Sequence, residues 1–220
     1  MNFKNILAIA LTSLVLFSCS KDNSVEKNSQ GNNTSFQPTT IGSTWNYQDN
    51  INSNGNFTLT ATGQDTTVNG MNFSVFADKP DSTPQVYATL FGQSQNDYYT
   101  LGFVTAFGNN ALLYLKDTTV NATWSQDVPI SVPQIGQTTA ELDFTLAQSG
   151  ISYTLNGKTY PNVAHVTLLV KIQVPGLGLT DAGVTGDIYF ARGVGILSAV
   201  VQQNGSKVED VSLVSYTIKP

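Results

Sequence analysis

From about Phe36 onward, apolar and polar positions alternate along the chain with a period of two. In "NFTLTATG", Phe57, Leu59 and Ala61 alternate with Thr58, Thr60 and Thr62. In "AELDFTLA", Leu142, Phe144 and Leu146 share one side, and Glu141, Asp143 and Thr145 share the other. The longest run is "NVAHVTLLVKIQV". It sets Ala164, Val166, Leu168, Val170, Ile172 and Val174 on one face, against His165, Thr167, Lys171 and Gln173. Such runs are strands with one face in a core and one in water, the habit of antiparallel sheets. Asn69-Gly70, Asn156-Gly157 and Asn204-Gly205 punctuate them. An Asn-Gly pair tolerates positive φ at both centres of a type I′ hairpin turn. About a dozen strands follow at hairpin spacing, and no segment of this region shows a 3.6-residue stripe. The pattern predicts a single all-β domain over residues 37–220. Its expected architecture is an antiparallel meander forming a curved sheet, half-barrel or barrel.

The N-terminus breaks this pattern. Lys4 precedes an apolar run from Ile6 to Phe17, interrupted only by Thr12 and Ser13. That run is too short for a ~30 Å hydrocarbon core, which needs about 20 apolar residues, and it fits a secretory signal over 1–18. It ends Leu16-Phe17-Ser18-Cys19, which resembles the bacterial lipobox, with Phe17 bulkier than usual at its position. The resemblance implies cleavage before Cys19 and acylation of its thiol and new α-amine. A core role would need folded chain around Cys19, and a catalytic thiolate would need a base or cation beside it. The sequence near it supplies no histidine. Two or more acyl chains, at about 0.8 kcal/mol per buried methylene, make a stable anchor. No second apolar run is long enough to span a membrane, so lipid is the one expected attachment.

Residues 20–36, "SKDNSVEKNSQGNNTSF", are nearly free of apolar side chains and read as a disordered tether with an end-to-end distance of about 20–25 Å. Lys21-Asp22 after Cys19 resembles the start of lipoproteins of Bacteroidota-type bacteria. There, a lysine and acids at this place accompany display on the outer face of the outer membrane. Asn23 departs from that pattern, so an inward-facing outer-membrane position stays open.

Composition narrows the partners. Residues 1–18 carry Lys4 and no acid, so the mature chain moves from a net charge of −5 to −6. That sign argues against nucleic acid, whose phosphates require a basic patch. Only 11% of residues are charged and 40% are hydrophobic, enough for a core. Cys19 is the one cysteine, so no internal disulfide supports the fold.

Candidate chemistry is sparse. His165 is the one histidine and lies on the polar face of its strand, so a multi-histidine metal site is excluded. Glu141 and Asp143 stand about 7 Å apart along one face, and paired carboxylates at such separations serve glycoside hydrolysis only when they flank a bond. Asp181 and Asp187 in "LTDAGVTGDIYF" could ligate calcium through oxygen, but the glycines read better as a hairpin turn. Trp45, Tyr47, Tyr98, Tyr99, Trp124 and Tyr189 could form a sugar-stacking platform, although large aromatics on half-buried strands usually serve the core. In "YFARGVG", Gly193 and Gly195 do not complete a dinucleotide fingerprint. A turn or bulge between strands fits better, with Arg192 a minor candidate for an anion. Neither an enzyme nor a cofactor is expected. A weaker internal similarity links "GSTWNY" leading to "VNGMNFSV" with "NATWSQ" leading to "LNGKTYPNV".

Three triplets, Asp65-Thr66-Thr67, Asp81-Ser82-Thr83 and Asp117-Thr118-Thr119, resemble the acceptor that Bacteroidota-type bacteria O-glycosylate on exported proteins. Thr66, Ser82 and Thr118 are the implied acceptors. "IGSTWNY", "NGKTYPNV" and "YFARGVGIL" together resemble a broad set of Bacteroidota-type lipoproteins without a known activity. Gly42, Trp45 and Tyr47 match their first motif, and Tyr189, Ala191, Gly193, Val194 and Gly195 match their last. A more distant similarity is to half-barrel carriers of lipoproteins and acyl chains, although those cover the sheet with helices. The expectation is a lipid-anchored, non-catalytic envelope module attached to the membrane through its lipid. A glycan, an apolar ligand or an envelope protein are the partner classes. An acyl carrier and a glycan-binding or glycan-hydrolysing surface protein are the alternatives.

Overall fold

The computed structural model describes residues 34–52, 55–101, 110–133 and 135–220. Cys19 and the signal lie outside the described residues. Twelve antiparallel strands form one sheet, with no helix among the described residues. They are β1 (Thr44–Asp49), β2 (Phe57–Val68), β3 (Met71–Pro80), β4 (Tyr87–Ser94), β5 (Asp97–Leu101) and β6 (Leu112–Lys116). The second half comprises β7 (Thr123–Val132), β8 (Gly136–Leu155), β9 (Lys158–Val174), β10 (Gly178–Ala191), β11 (Gly195–Gln203) and β12 (Ser206–Thr217). The all-β expectation holds, and the Asn-Gly turns behave as read. Asn69, Asn156 and Asn204 have φ near 50°, and each following glycine lies near 80°.

The lateral order is β6-β5-β4-β3-β2-β1-β12-β11-β10-β9-β8-β7. The chain starts mid-sheet, meanders to one edge at β6, and resumes at the opposite edge with β7. Only residues 117–122 join those edges. Laid flat, twelve strands would hold them roughly 50 Å apart. A six-residue link spans at most about 20 Å. The sheet must therefore curl until its edges meet, and it forms a nearly closed barrel.

Consecutive strands β6 and β7 nevertheless share no backbone ladder. Side chains close the seam. Trp124 Nε1 donates to the Leu113 carbonyl at 2.9 Å. The Gln126 carboxamide accepts from the Leu113 N–H at 3.0 Å and donates to the Ala111 carbonyl at 2.6 Å. That amide takes the place of a strand residue, pairing backbone groups that the edge would otherwise leave open.

Inside, rings touch in sequence from wall to wall. Trp45 on β1 meets Phe76 on β3 at 5.5 Å between centroids, and Phe76 meets Phe91 on β4 at 5.0 Å. Phe91 meets Tyr114 on β6 at 6.2 Å, and Tyr114 meets Phe190 on β10 at 5.3 Å. Apolar residues of β7 to β10, including Val128, Leu142, Phe144, Val166 and Leu168, complete the core. Outside, the tip of the long β8–β9 hairpin folds onto β10, β11 and β12. Tyr153 stacks on Tyr189 at 4.1 Å, and its hydroxyl lies 3.4 Å from Ser198 Oγ. Asn156 Nδ2 donates to the Leu213 carbonyl, and Lys158 Nζ donates to the Tyr216 hydroxyl.

Two expectations need correction. The folded body begins before residue 37, because Ser35 and Phe36, assigned to the tether, are buried. An isolated aromatic at the end of a polar run is a ready plug for a barrel end. The glycines of "LTDAGVTGD" make a bulge inside β10 instead of a hairpin turn. Gly183 takes φ +67° and donates its N–H to Asp181 Oδ1, which lets the strand continue. The hairpin turn lies earlier, in the Pro-Gly-Leu link between β9 and β10.

Replacing Gln126 with leucine leaves the Leu113 N–H and Ala111 carbonyl unpaired at the seam. Urea unfolding should show a loss of about 1–3 kcal/mol, and hydrogen exchange at Leu113 should quicken.

Candidate functional site

The barrel has two unlike ends. The β2–β3, β4–β5, β6–β7, β8–β9 and β10–β11 turns share one end with the start of β1 and the close of β12. The chain enters here, and residues 35–40 plug this end. Phe36 is buried, its ring edge-on to Tyr98 at 5.9 Å. Its N–H donates to the Tyr98 hydroxyl at 3.3 Å. Ser35 donates its hydroxyl to Gln93 Oε1 and accepts the Gly193 N–H at its carbonyl. Arg192 clamps the plug in three ways. Its guanidinium donates to the Thr34 carbonyl at 2.8 Å, pairs with Asp117 at 2.5 Å, and lies 4.3 Å from the centre of the Phe36 ring. The anion it holds is therefore an internal carboxylate.

The two sequence motifs meet at this plug. Trp45 Nε1 donates to the Val194 carbonyl at 2.5 Å, and the Tyr47 hydroxyl donates to the Ile196 carbonyl at 3.0 Å. Burial pushes the Tyr47 phenol far above its ordinary range, so it stays a donor. Gly195 has φ +114°, a backbone conformation that side-chain-bearing residues rarely adopt, and it is this conformation that calls for glycine; a Cβ there would only touch Trp45, Gln37 and Phe36 at ordinary contact distance.

The opposite end is formed by the β1–β2, β3–β4, β7–β8, β9–β10 and β11–β12 turns. Several large apolar side chains are exposed there, Leu177 the most at 73%, with Ile51, Val86, Tyr87, Leu179 and Val208. Near this mouth, Asp49 caps the Ile51 and Asn52 N–H groups through Oδ1. Burial, and then the negative charge of Asp49, raise the Glu209 carboxyl above its ordinary range. Burial also raises Asp78, whose Oδ2 takes a long hydrogen bond from Thr89 at 3.4 Å.

The remaining candidates are dispersed. His165 lies on the outer face as expected, with Nε2 at 2.8 Å from Asp187 Oδ1 and its ring stacked on Tyr189 at 4.3 Å. Glu141 and Asp143 both hold Lys171, at 3.1 and 2.6 Å, on the outer face. They do not flank a cleft. Asp181 and Asp187 are separated, each engaged with its own neighbour, and no group of metal-ligating side chains assembles among the described residues. Trp45, Tyr47, Tyr98 and Trp124 are buried, while Tyr99 and Tyr189 are half-buried. Ser82 and Thr118 are exposed in turns, and Thr66 is half-buried within β2. In the internal similarity, Trp45 and Trp124 each lie on the first strand of a six-strand half. The matching Asn-Gly pairs each join the second and third strands. Gln126 and the plug role of Phe36 carry no sequence signal, because each depends on what lies across the barrel.

Methionine in place of Arg192 keeps the stem but removes the charge from Asp117 and the donor from Thr34. Limited proteolysis should then cleave ahead of Phe36 faster, and unfolding should cost about 1–3 kcal/mol less. Glu209→Gln tests the distal mouth. A carboxyl raised in the folded state binds its proton more tightly there, so stability falls as pH rises from the ordinary carboxylate range through the raised value. Glutamine should raise the melting temperature at neutral pH, and the gain should vanish below about pH 4.

No protein-family model and no curated protein matches the sequence. Among solved structures, the fold is similar to that of a "putative lipoprotein" from Parabacteroides distasonis. The TM-score is 0.52 at 14% identity, covering 84% of this chain and 99% of the other. At that identity the likeness concerns the fold alone.

Proposed function

We propose that the chain is a lipid-anchored module of the cell envelope, held in the outer membrane through acylated Cys19. In this reading the barrel is a non-catalytic body that presents its distal rim to a partner, an envelope protein before a glycan. One observation carries the proposal. The N-terminal segment is clamped by Arg192 into one end of the barrel. An anchor upstream of Thr34 then pulls on a fastened plug, with the uncharged apolar tips at Ile51, Val86 and Leu177 at the other end. The lipobox-like "LFSC" and the lipoprotein likeness of the fold support the same reading. The chain of rings across the lumen favours a solid body over a carrier with a continuous apolar cavity. The dispersal of Glu141, Asp143, His165 and Asp187 among structural contacts weighs against a hydrolase.

The test is fractionation of the host expressing the wild-type chain or Cys19→Ser, with protease added to intact cells. Wild-type protein should enter the outer-membrane fraction and be cut on intact cells. Cys19→Ser should yield soluble or unprocessed protein with an unchanged melting temperature. A processed Cys19→Ser chain that stays in the membrane, or a domain that unfolds, would sink the anchoring reading. Protection of the wild-type protein on intact cells would turn the domain inward.

A further inference from the structure

The tip of the β8–β9 hairpin leaves the barrel wall and lies over it. The β7 ladder on β8 reaches only Thr145, and the β10 ladder on β9 reaches only Val163. Between Leu146 and Tyr153 the pairing of β8 with β9 shifts register three times. Irregularities of this kind bend a strand pair. Gly150 and Asn162 flank the Ile151–Val163 pair, one on each strand, with φ of +72° and +55°. Both strands therefore carry a left-handed residue at the level where the hairpin turns away. A Cβ added at Gly150 would meet nothing within 4 Å, so the space about it is open.

The tip covers a face that would otherwise be wet. Ile196, Leu197, Ser198 and Ala199 on β11 are all buried, although side chains on a strand point alternately to its two faces. Ser198 pairs with Tyr189 on the outer face and is only 5% exposed. Tyr153 covers both, stacked on Tyr189 at 4.1 Å with its hydroxyl 3.4 Å from Ser198 Oγ. Further along, Asn156 Nδ2 reaches the Leu213 carbonyl at 3.2 Å, and Lys158 Nζ reaches the Tyr216 hydroxyl at 3.1 Å. These are side-chain contacts, and they can release together without breaking a ladder. Ser198 and the tyrosine hydroxyls accept water when the tip lifts. Tyr160, buried and 6.4 Å from the Tyr216 ring, is the main apolar cost of lifting.

We propose that residues 151–161 form a lid, hinged at Gly150 and Asn162, that lifts from the outer face of β10 and β11 while the barrel stays folded. Hinges are a few residues at the ends of elements that absorb the φ/ψ change. Lifting exposes Tyr189 and Ser198, and it leaves the ring layer of the lumen and the β9–β10 ladder intact. The proposal goes beyond the anchoring reading and does not depend on it.

The test uses the full chain carrying Cys19→Ser, which removes the one native thiol. Ser198→Cys then reports from beneath the lid. Thr89→Cys reports from the lumen, where Thr89 pairs with Phe76 and is 1% exposed. Each is labelled with dithionitrobenzoate at neutral pH. Ser198→Cys should react about tenfold or more faster than Thr89→Cys, yet far slower than an unprotected thiol. Its urea dependence should be shallower, because lifting a lid exposes less surface than unfolding the barrel. Tyr153→Ala should speed labelling of Ser198→Cys about tenfold, since it removes the ring stack. Gln126→Leu weakens the distant seam. It should speed labelling of Thr89→Cys and leave Ser198→Cys unchanged. Tyr153→Ala should also quicken exchange of the Asn156 side-chain amide, a readout that needs no added thiol. A common rate and urea dependence at the two positions would overturn the lid. So would a Ser198→Cys rate that follows Gln126→Leu, one that ignores Tyr153→Ala, or one equal to that of an unprotected thiol.

Discussion

Trp45 and Tyr47 on β1 reach past β12 to the carbonyls of Val194 and Ile196, a span of 149 residues in each case. Much of the barrel depends on that reach. It ties the first strand to the β10–β11 turn at the end where the chain enters. It also sets the turn against which residues 35–40 lodge. Both carbonyls lie in buried surroundings, so losing either donor costs an unsatisfied group as well as a bond. The left-handed backbone at Gly193 and Gly195 follows from the same need, since the turn must offer carbonyls inward and an N–H to Ser35 at once.

The aromatic layer then supplies cross-lumen cohesion of the kind that disulfides give many secreted proteins. With no cysteine beyond Cys19, cohesion across the lumen rests on ring contacts from Trp45 to Phe190 and on aliphatic packing behind them. Tyr114 sits at the crossing point. Burial, aided by the neighbouring Tyr98 and Tyr47, pushes its phenol well above the ordinary range, so it remains neutral in the core. The seam is the complementary weak line. There the ladder gives way to Trp124 and Gln126, two side chains that imitate a strand only as long as β6 stays in place.

The polar groups divide by face in a way that bears on function. Outside, polar side chains satisfy one another in pairs, as Lys171 does with Glu141 and Asp143 and as His165 does by hydrogen bonding to Asp187. These residue types drew attention in the sequence because chemistry uses them, but on a wet sheet face they are ordinary cross-strand partners. Inside, Asp78, Thr89, Thr100 and Glu209 carry polar atoms into the lumen, and none of the ion pairs among the described residues includes Asp78 or Glu209.

Strand identity, strand number and the Asn-Gly turns were legible in the sequence, because period-two burial and positive φ are local properties of a few residues. The Trp-x-Tyr and Ala-x-Gly-Val-Gly stretches were visible too, but as separate motifs; that one donates to the other depends on strand order. Likewise, "LTDAGVTGD" contained the glycine that breaks regular pairing, while bulge or turn was decided by the strand on either side. The plug at Phe36, the seam at Gln126, and the absence of Asp78 from the ion pairs of the described residues arose only in the tertiary structure. Each is a relation between residues brought together by closure of the sheet. A sequence determines which side of a strand a residue occupies; only the closed barrel decides what faces it.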